Sequence, residues 1–178
     1  MFDERELSNK IASGNTQAFA QWYRADAPRL RLFLRRLVGN EQAAEDLMQE
    51  TFIQIWRRPQ GFDPERGSPR AYLFGTARNL AAGWLRKQKP SDELQTEPVL
   101  TDPVEGNSIV ADALSRLELD DRTILWLREV EGHSYAELAA MLNIPIGTVR
   151  SRLHNAREAL RAVWHSTQRP AGGSNELR

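Results

Sequence analysis

Apolar residues recur along this chain at steps of three and four, the period of a helix with one buried face. A first short helix is predicted from Glu4 to Ser13, ended by Gly14-Asn15. Asn15 suits the N-cap of a second helix carrying Ala18, Phe19, Trp22 and Tyr23. The stripe resumes after Pro28 with Leu30, Phe33, Leu34 and Leu37 and stops at Gly39-Asn40. Ala44, Leu47, Met48, Phe52, Ile55 and Trp56 predict a third helix, closed before Pro59, with these large apolar groups expected in the core. A loop dense in proline and glycine spans residues 59–69. Ala71, Leu73, Phe74, Ala77, Leu80, Trp84 and Leu85 then mark a fourth helix, ended by basic Arg86, Lys87 and Lys89.

Residues 90–110 break the pattern: polar, acidic and punctuated by Pro90, Pro98 and Pro103, they have the composition of a linker. From Val110 onward, Ala113, Leu114, Leu117, Ile124, Leu125, Leu127 and Val130 suggest two helices, and Trp126 and Trp164 are expected to pack a small core. Ser134 and Glu137 have capping-box spacing, so a helix should begin at Tyr135. Asn143-Ile144-Pro145 should stop it and open the next, whose inward stripe is Val149, Leu153, Ala156 and Leu160. Thr148, Arg150, Ser151, Arg152, His154, Asn155 and Arg157 face outward on that helix. Two helices joined by a sharp turn, the second bearing arginines and small polar groups, suit the major groove. The fold class is all-α: two small helical domains joined by a flexible linker, the C-terminal one a four-helix helix-turn-helix domain. Residues 1–89 form the first domain, 90–110 the acidic linker, 111–165 the second domain and 166–178 an expected disordered tail.

Charge alters this picture only locally. The formal net charge is zero, from 24 Lys/Arg and 24 Asp/Glu. Residues 1–89 hold 15 basic and 10 acidic residues, residues 90–112 hold six acidic and no basic ones, and residues 113–178 hold nine and eight. A neutral sum therefore does not exclude a polyanion partner, because contacts depend on local charge. The absence of cysteine rules out a disulfide framework, a thiol nucleophile and a cysteine-ligated zinc. His133, His154 and His165 make no metal signature with carboxylates, and His133 and His165 are expected at the surface. No glycine-rich phosphate loop or paired-carboxylate site points to an enzyme. No window approaches the ~20 apolar residues of a membrane span, and the charged start MFDERELSNK is unlike a signal peptide, so a cytoplasmic protein is expected.

The segments GNTQAFAQWY, AEDLMQETFIQIW, FDPERGSPRAYLFGTARNLAAGWLRK and LREVEGHSYAELAAMLNIPIGTVRSRLHNAREALR, in this order and spacing, resemble bacterial sigma factors of the sigma-70 family. The resemblance is to the extracytoplasmic-function group, which keeps only regions 2 and 4, and it covers roughly residues 10–164. It implies a promoter-specificity subunit with no active site and no cofactor or metal. Its partners would be RNA polymerase core, through the clamp helices of the largest subunit and the flap of the second largest, and promoter DNA. Asp46, Gln49, Glu50 and Gln54 would then meet the core. Phe62, Asp63, Arg66, Ser68, Arg70, Arg78, Asn79, Arg86 and Lys87 would meet the single-stranded −10 element. Thr148, Arg150, Ser151, Arg152, His154, Asn155 and Arg157 would read the −35 duplex. An anti-sigma factor would have to cover the same surfaces. One departure stands out: where family members commonly have Leu-Pro before the first region 4 helix, this chain has Leu119-Asp120, and Asp120 and Asp121 are expected to cap that helix. The alternative reading is a stand-alone helix-turn-helix repressor or activator, binding as a dimer to a palindrome.

Overall fold

The computed structural model describes residues 4–65, 67–88 and 113–168. The expected linker over 90–110, Arg66 and the end of the tail lie outside the described residues. Among the described residues all regular structure is helical: α1 (Glu4–Ala12), α2 (Thr16–Val38), α3 (Glu41–Arg57), a 3-10 turn at Pro59–Gly61, α4 (Pro69–Gln88), α5 (Leu119–Leu125), a π turn at Trp126–Val130, α6 (Tyr135–Leu142) and α7 (Ile146–Gln168). No helix among them is long and apolar enough to cross a membrane.

The helix ends follow side-chain chemistry. The Asn15 carboxamide accepts from the Ala18 amide at 2.9 Å and opens α2; Asn40 does the same for α3 through the Ala43 amide at 2.8 Å. Each satisfies a donor that the first turn would leave orphaned. Between them Gly39, at φ 69°, takes the left-handed conformation that closes α2. Pro28 lies inside α2, where it forfeits one backbone hydrogen bond. Fully buried Leu30, Phe33 and Leu34 in the next turns hold the helix on course despite that loss.

Helices α2, α3 and α4 pack together around Trp22, Phe33, Leu37, Ile55, Leu73 and Phe74, with α1 laid across them through Ile11. Burial of each such side chain contributes about 1.5–3 kcal/mol. Leu47, Phe52 and Ile55 are buried as the periodicity requires, but Trp56 is 41% exposed. Its ring leans on Phe19 at 4.9 Å and turns its other face outward. The helical period placed Trp56 at the margin of the stripe, where an aromatic can touch the core with one edge only.

In the second body, α5 passes into the π turn and α6 and α7 fold back on it around Ile124, Leu127, Leu138, Val149, Leu153 and Ala156. Trp126 is buried with them and Trp164 is half-buried. Asp120 and Asp121 do not cap α5. Glu118 stands at that position, without a side-chain bond, and the two aspartates lie in the first turn. Helix α7 continues to Gln168, three residues into the expected disordered tail.

The two bodies are not separate on their string. Helix α6 packs on α4, α5 meets α2, and one apolar cluster runs through both. His133, expected at the surface, is 5% exposed and sits in this seam with its ring 6.1 Å from Phe74.

Candidate nucleic-acid interface

The helix-turn-helix is built by its caps. The Glu137 amide donates to Ser134 Oγ at 3.2 Å, and the Ser134 amide donates to Glu137 Oε2 at 2.8 Å, completing the capping box. Burial works against the Glu137 carboxylate, but the bonds from Ser134 and the proximity of His133 outweigh it and hold its pKa below the usual range. Asn143, at φ 52°, ends α6 in the left-handed region, and the Ile144 amide donates back to the Ala139 carbonyl at 3.0 Å. Asparagine tolerates that conformation better than a branched residue. The Pro145 carbonyl then accepts from the Val149 amide at 3.1 Å to begin α7.

Burying Val149, Leu153 and Ala156 turns the opposite side of α7 to solvent. Arg150, Ser151, His154 and Asn155 are exposed there, at the one-and-four spacing of a single face. Ser151 Oγ donates to the Thr148 carbonyl at 3.1 Å, so Thr148 and Ser151 brace the first turn. Ile146 extends the face with a 46% exposed apolar group. Arg152 and Arg157 point elsewhere. Arg152 pairs with Asp120 at 2.9 Å, and Arg157 reaches Glu129 through Nε at 3.2 Å and Nη2 at 2.6 Å.

The loop and helix expected to meet single-stranded DNA are only partly free to do so. Phe62 is 4% exposed, with its ring 5.3 Å from that of Tyr72, so its side chain serves the core and only its backbone borders the loop. Ser68 caps α4 by accepting from the Ala71 amide at 3.1 Å. Arg70 holds the buried Asp26 carboxylate, with Nε and Nη2 each 2.9 Å from Oδ1. Asp63 is exposed and accepts from the Glu65 amide at 3.0 Å, tightening the loop tip. Asn79, Arg86 and Lys87 are exposed along α4. Arg78 donates to both Asn79 and Asp120.

On α3, Asp46, Gln49, Glu50 and Gln54 are all exposed. They surround a feature the periodicity hid: Ile53 and Trp56, each 41% exposed, beside Tyr23 at 38%. Tyr23 and Trp56 are the outer members of a ring cluster with Phe19, Trp22 and Phe52, centroids 4.8–5.9 Å apart. Rigid aromatics inside a polar rim form the anatomy of a protein-binding patch. Along the seam between the two bodies lies a cleft of about 360 Å³, lined in part by Trp22, Asp26, Arg70, His133 and Glu137. Among the described residues no group of three or more His, Cys, Asp or Glu could hold a metal.

The sequence profile of Sigma-70 region 2 matches residues 22–90, and that of Sigma-70, region 4, matches residues 108–160. The chain is 33% identical over 167 residues to the ECF RNA polymerase sigma factor SigE of Mycolicibacterium smegmatis, covering 84% of this chain and 64% of SigE. It is 33% identical over 172 residues to SigW, an ECF sigma factor of Bacillus subtilis, covering 85% of this chain and 91% of SigW. Among solved structures, CnrH in complex with the cytosolic domain of CnrY superposes with a TM-score of 0.69 at 27% identity, over 92% of this chain and 97% of that one. The sigma factor RpoE of Bartonella quintana, in complex with the anti-sigma factor NepR, gives a TM-score of 0.68 at 26% identity, over 86% and 100%.

Proposed function

We propose a division of labour for a chain that belongs to the extracytoplasmic-function group of the sigma-70 family, and that therefore directs promoter-specific initiation of transcription by RNA polymerase. Region 4 reads the −35 duplex with α7; region 2 engages the −10 strand with α4 and the loop before it, and the core enzyme with α3. Catalysis belongs to the polymerase. The observation that carries this reading is the exposed face of α7, where Arg150, Ser151, His154 and Asn155 make no ion pair among the described residues and stand behind a firmly capped turn.

Arg150 is the residue best placed to read a base edge, since arginine grips guanine in a bidentate way. Arg152 and Arg157, which the sequence offers equally, support the helix by pairing with Asp120 and Glu129. On α4, exposed Arg86 and Lys87 face strand and phosphate contacts together with Asn79, whose side chain accepts from Arg78, and Arg78 joins them when released from Asp120. The Ile53–Trp56–Tyr23 patch with its rim of Asp46, Gln49, Glu50 and Gln54 is the surface for the clamp helices. CnrH was solved with the cytosolic domain of CnrY, and the Bartonella RpoE with the anti-sigma factor NepR; for this chain an anti-sigma factor is a partner of the kind NepR represents.

Run-off transcription with purified core polymerase and fragmented genomic DNA tests the reading. Specific transcripts should appear only when the protein is added. Arg150→Ala should lower their yield roughly tenfold, matching the about 1–3 kcal/mol of one good base contact. Unchanged promoter choice and yield would remove Arg150 from the −35 interface.

A further inference from the structure

We infer that Arg36, near the end of α2, contacts a phosphate of the −10 strand and so extends the DNA surface of region 2 from α4 onto α2. This deepens the reading of α4 as the −10 surface and rests on it. Among the described residues, four guanidiniums keep a buried Nε without a hydrogen-bond partner: Arg35, Arg36, Arg78 and Arg122. Three of the four are served through their other nitrogens. Arg35 pairs with Glu41 at 3.1 Å, Arg78 pairs with Asp120, and Arg122 donates to four carbonyls. Arg36 makes no ion pair and no side-chain hydrogen bond among the described residues.

Burial first, and then the charge of adjacent Arg35, push the Arg36 pKa below its ordinary value. A guanidinium stays charged even so. The fold therefore holds a half-buried cation against a like charge, with no carboxylate paired to it among the described residues. Such an arrangement costs stability in the protein alone and is relieved by a bound anion.

Its position says which anion. Arg122 donates to the Arg36 carbonyl at 3.1 Å, and Asp120, two residues earlier in α5, receives Arg78. Arg36 and Arg78 thus start from one corner of region 2. Arg78 in turn bonds Asn79, which is exposed on α4 with Arg86 and Lys87. The patch on α3 has the opposite character, since its rim carries Asp46 and Glu50. A planar arginine fork matches phosphate, and a phosphate here continues the row of contacts offered by α4.

Counting released counterions tests this. Each phosphate contact contributes about 0.7 to the slope of log K against log salt on a single strand. Holoenzyme rebuilt from core polymerase and the full-length protein is bound to a fluorescein-labelled promoter fragment, identified by run-off, over a series of KCl concentrations. Arg36→Gln should lower affinity several-fold on every promoter used and flatten the slope by about 0.7. Arg36→Lys should keep the wild-type slope. The Arg36→Gln protein should melt no lower than wild type, because the lost charge had no partner, and should co-migrate with core equally well. Partial unfolding would lower apparent affinity but not the slope, which belongs to each complex formed. A slope unchanged by Arg36→Gln overturns the proposal: with weakened core binding, Arg36 answers a carboxylate of the polymerase, and with no other change it is only solvated. If the wild-type protein neither binds core nor yields transcripts, the reading of α4 fails instead. The same slope, measured for the free protein on labelled single-stranded DNA of mixed sequence, then still decides whether Arg36 meets phosphate.

Discussion

Arg122 places one guanidinium against four carbonyl oxygens, two from the last turn of α2 and two from the residues leading into α5. Helix ends leave such carbonyls unsatisfied, and a planar fork can serve several at once where an ammonium cannot. Arg122→Ala should therefore cost about 2–4 kcal/mol in urea unfolding, and Arg122→Lys should recover only part of it. The two aspartates beside it titrate in opposite senses. Burial disfavours the charged form of Asp120, but the bonds and charges of Arg78 and Arg152 outweigh it and lower its pKa below 3.8. Its contribution to stability is thus present above 3.8 and lost as pH falls through that value toward the folded one. Asp121 is raised, first by burial and then by Asp120 and Glu118, against Arg152. Its ionisation opposes folding above 3.8. Asp120→Asn should accordingly destabilise at pH 7 and lose that difference in acid, while Asp121→Asn should stabilise at pH 7; urea midpoints across pH check both. None of this was legible beforehand. Sequence spacing names which residues face outward, but not that Asp120 would find Arg78 forty-two positions away, that Arg70 would serve Asp26, or that His133 would be covered by Phe74.

Helices were far more legible than individual contacts, because their signals are local. Asn15 and the Ser134–Glu137 box each act within one turn, and the structure puts a cap at both, while Asn40, read only as a break, caps α3 as well. Replacing Ser134 by alanine should cost about 1 kcal/mol, typical of a lost N-cap, and should weaken −35 binding only as far as α6 frays. Thermal melting and binding to duplex DNA measured on one variant separate those effects. The π turn after α5 was not legible, since nothing in Trp126–Val130 breaks a helical pattern. On α3 the pattern misled in an informative way. A stripe of large apolar groups fits both a core face and a patch beside it, and Trp56 and Ile53 belong to the patch. Ile53→Asp should therefore leave the melting temperature nearly unchanged and lower affinity for core polymerase at least tenfold in co-migration assays. A drop in melting temperature of many degrees would instead place Ile53 in the core.

At the scale of the molecule, the sequence pattern suggests two bodies and a composition break, and the profiles of regions 2 and 4 match residues 22–90 and 108–160. What it cannot show is that the bodies share a seam, because the groups that close it are individually ordinary: a glycine, a methionine, an arginine, a histidine. The apolar cluster nevertheless runs from Ile11 in α1 to Ala156 in α7. A continuous core unfolds as one unit when the coupling across its narrowest part exceeds the difference in stability of its halves. Tryptophans report on both sides, with Trp22, Trp56 and Trp84 in the first body and Trp126 and Trp164 in the second. Urea unfolding of the wild-type protein should thus give coincident fluorescence and circular-dichroism transitions. Gly75 sets the sensitivity of that coupling. A methyl group there meets Met141 at ordinary contact distance, so Gly75→Ala should be neutral or stabilise the helix by up to about 1 kcal/mol. Leucine has further atoms and nowhere to put them, so Gly75→Leu should wedge α6 from α4 and split the single transition into two. Two transitions already present in the wild-type protein would mean that the seam is weaker than either body.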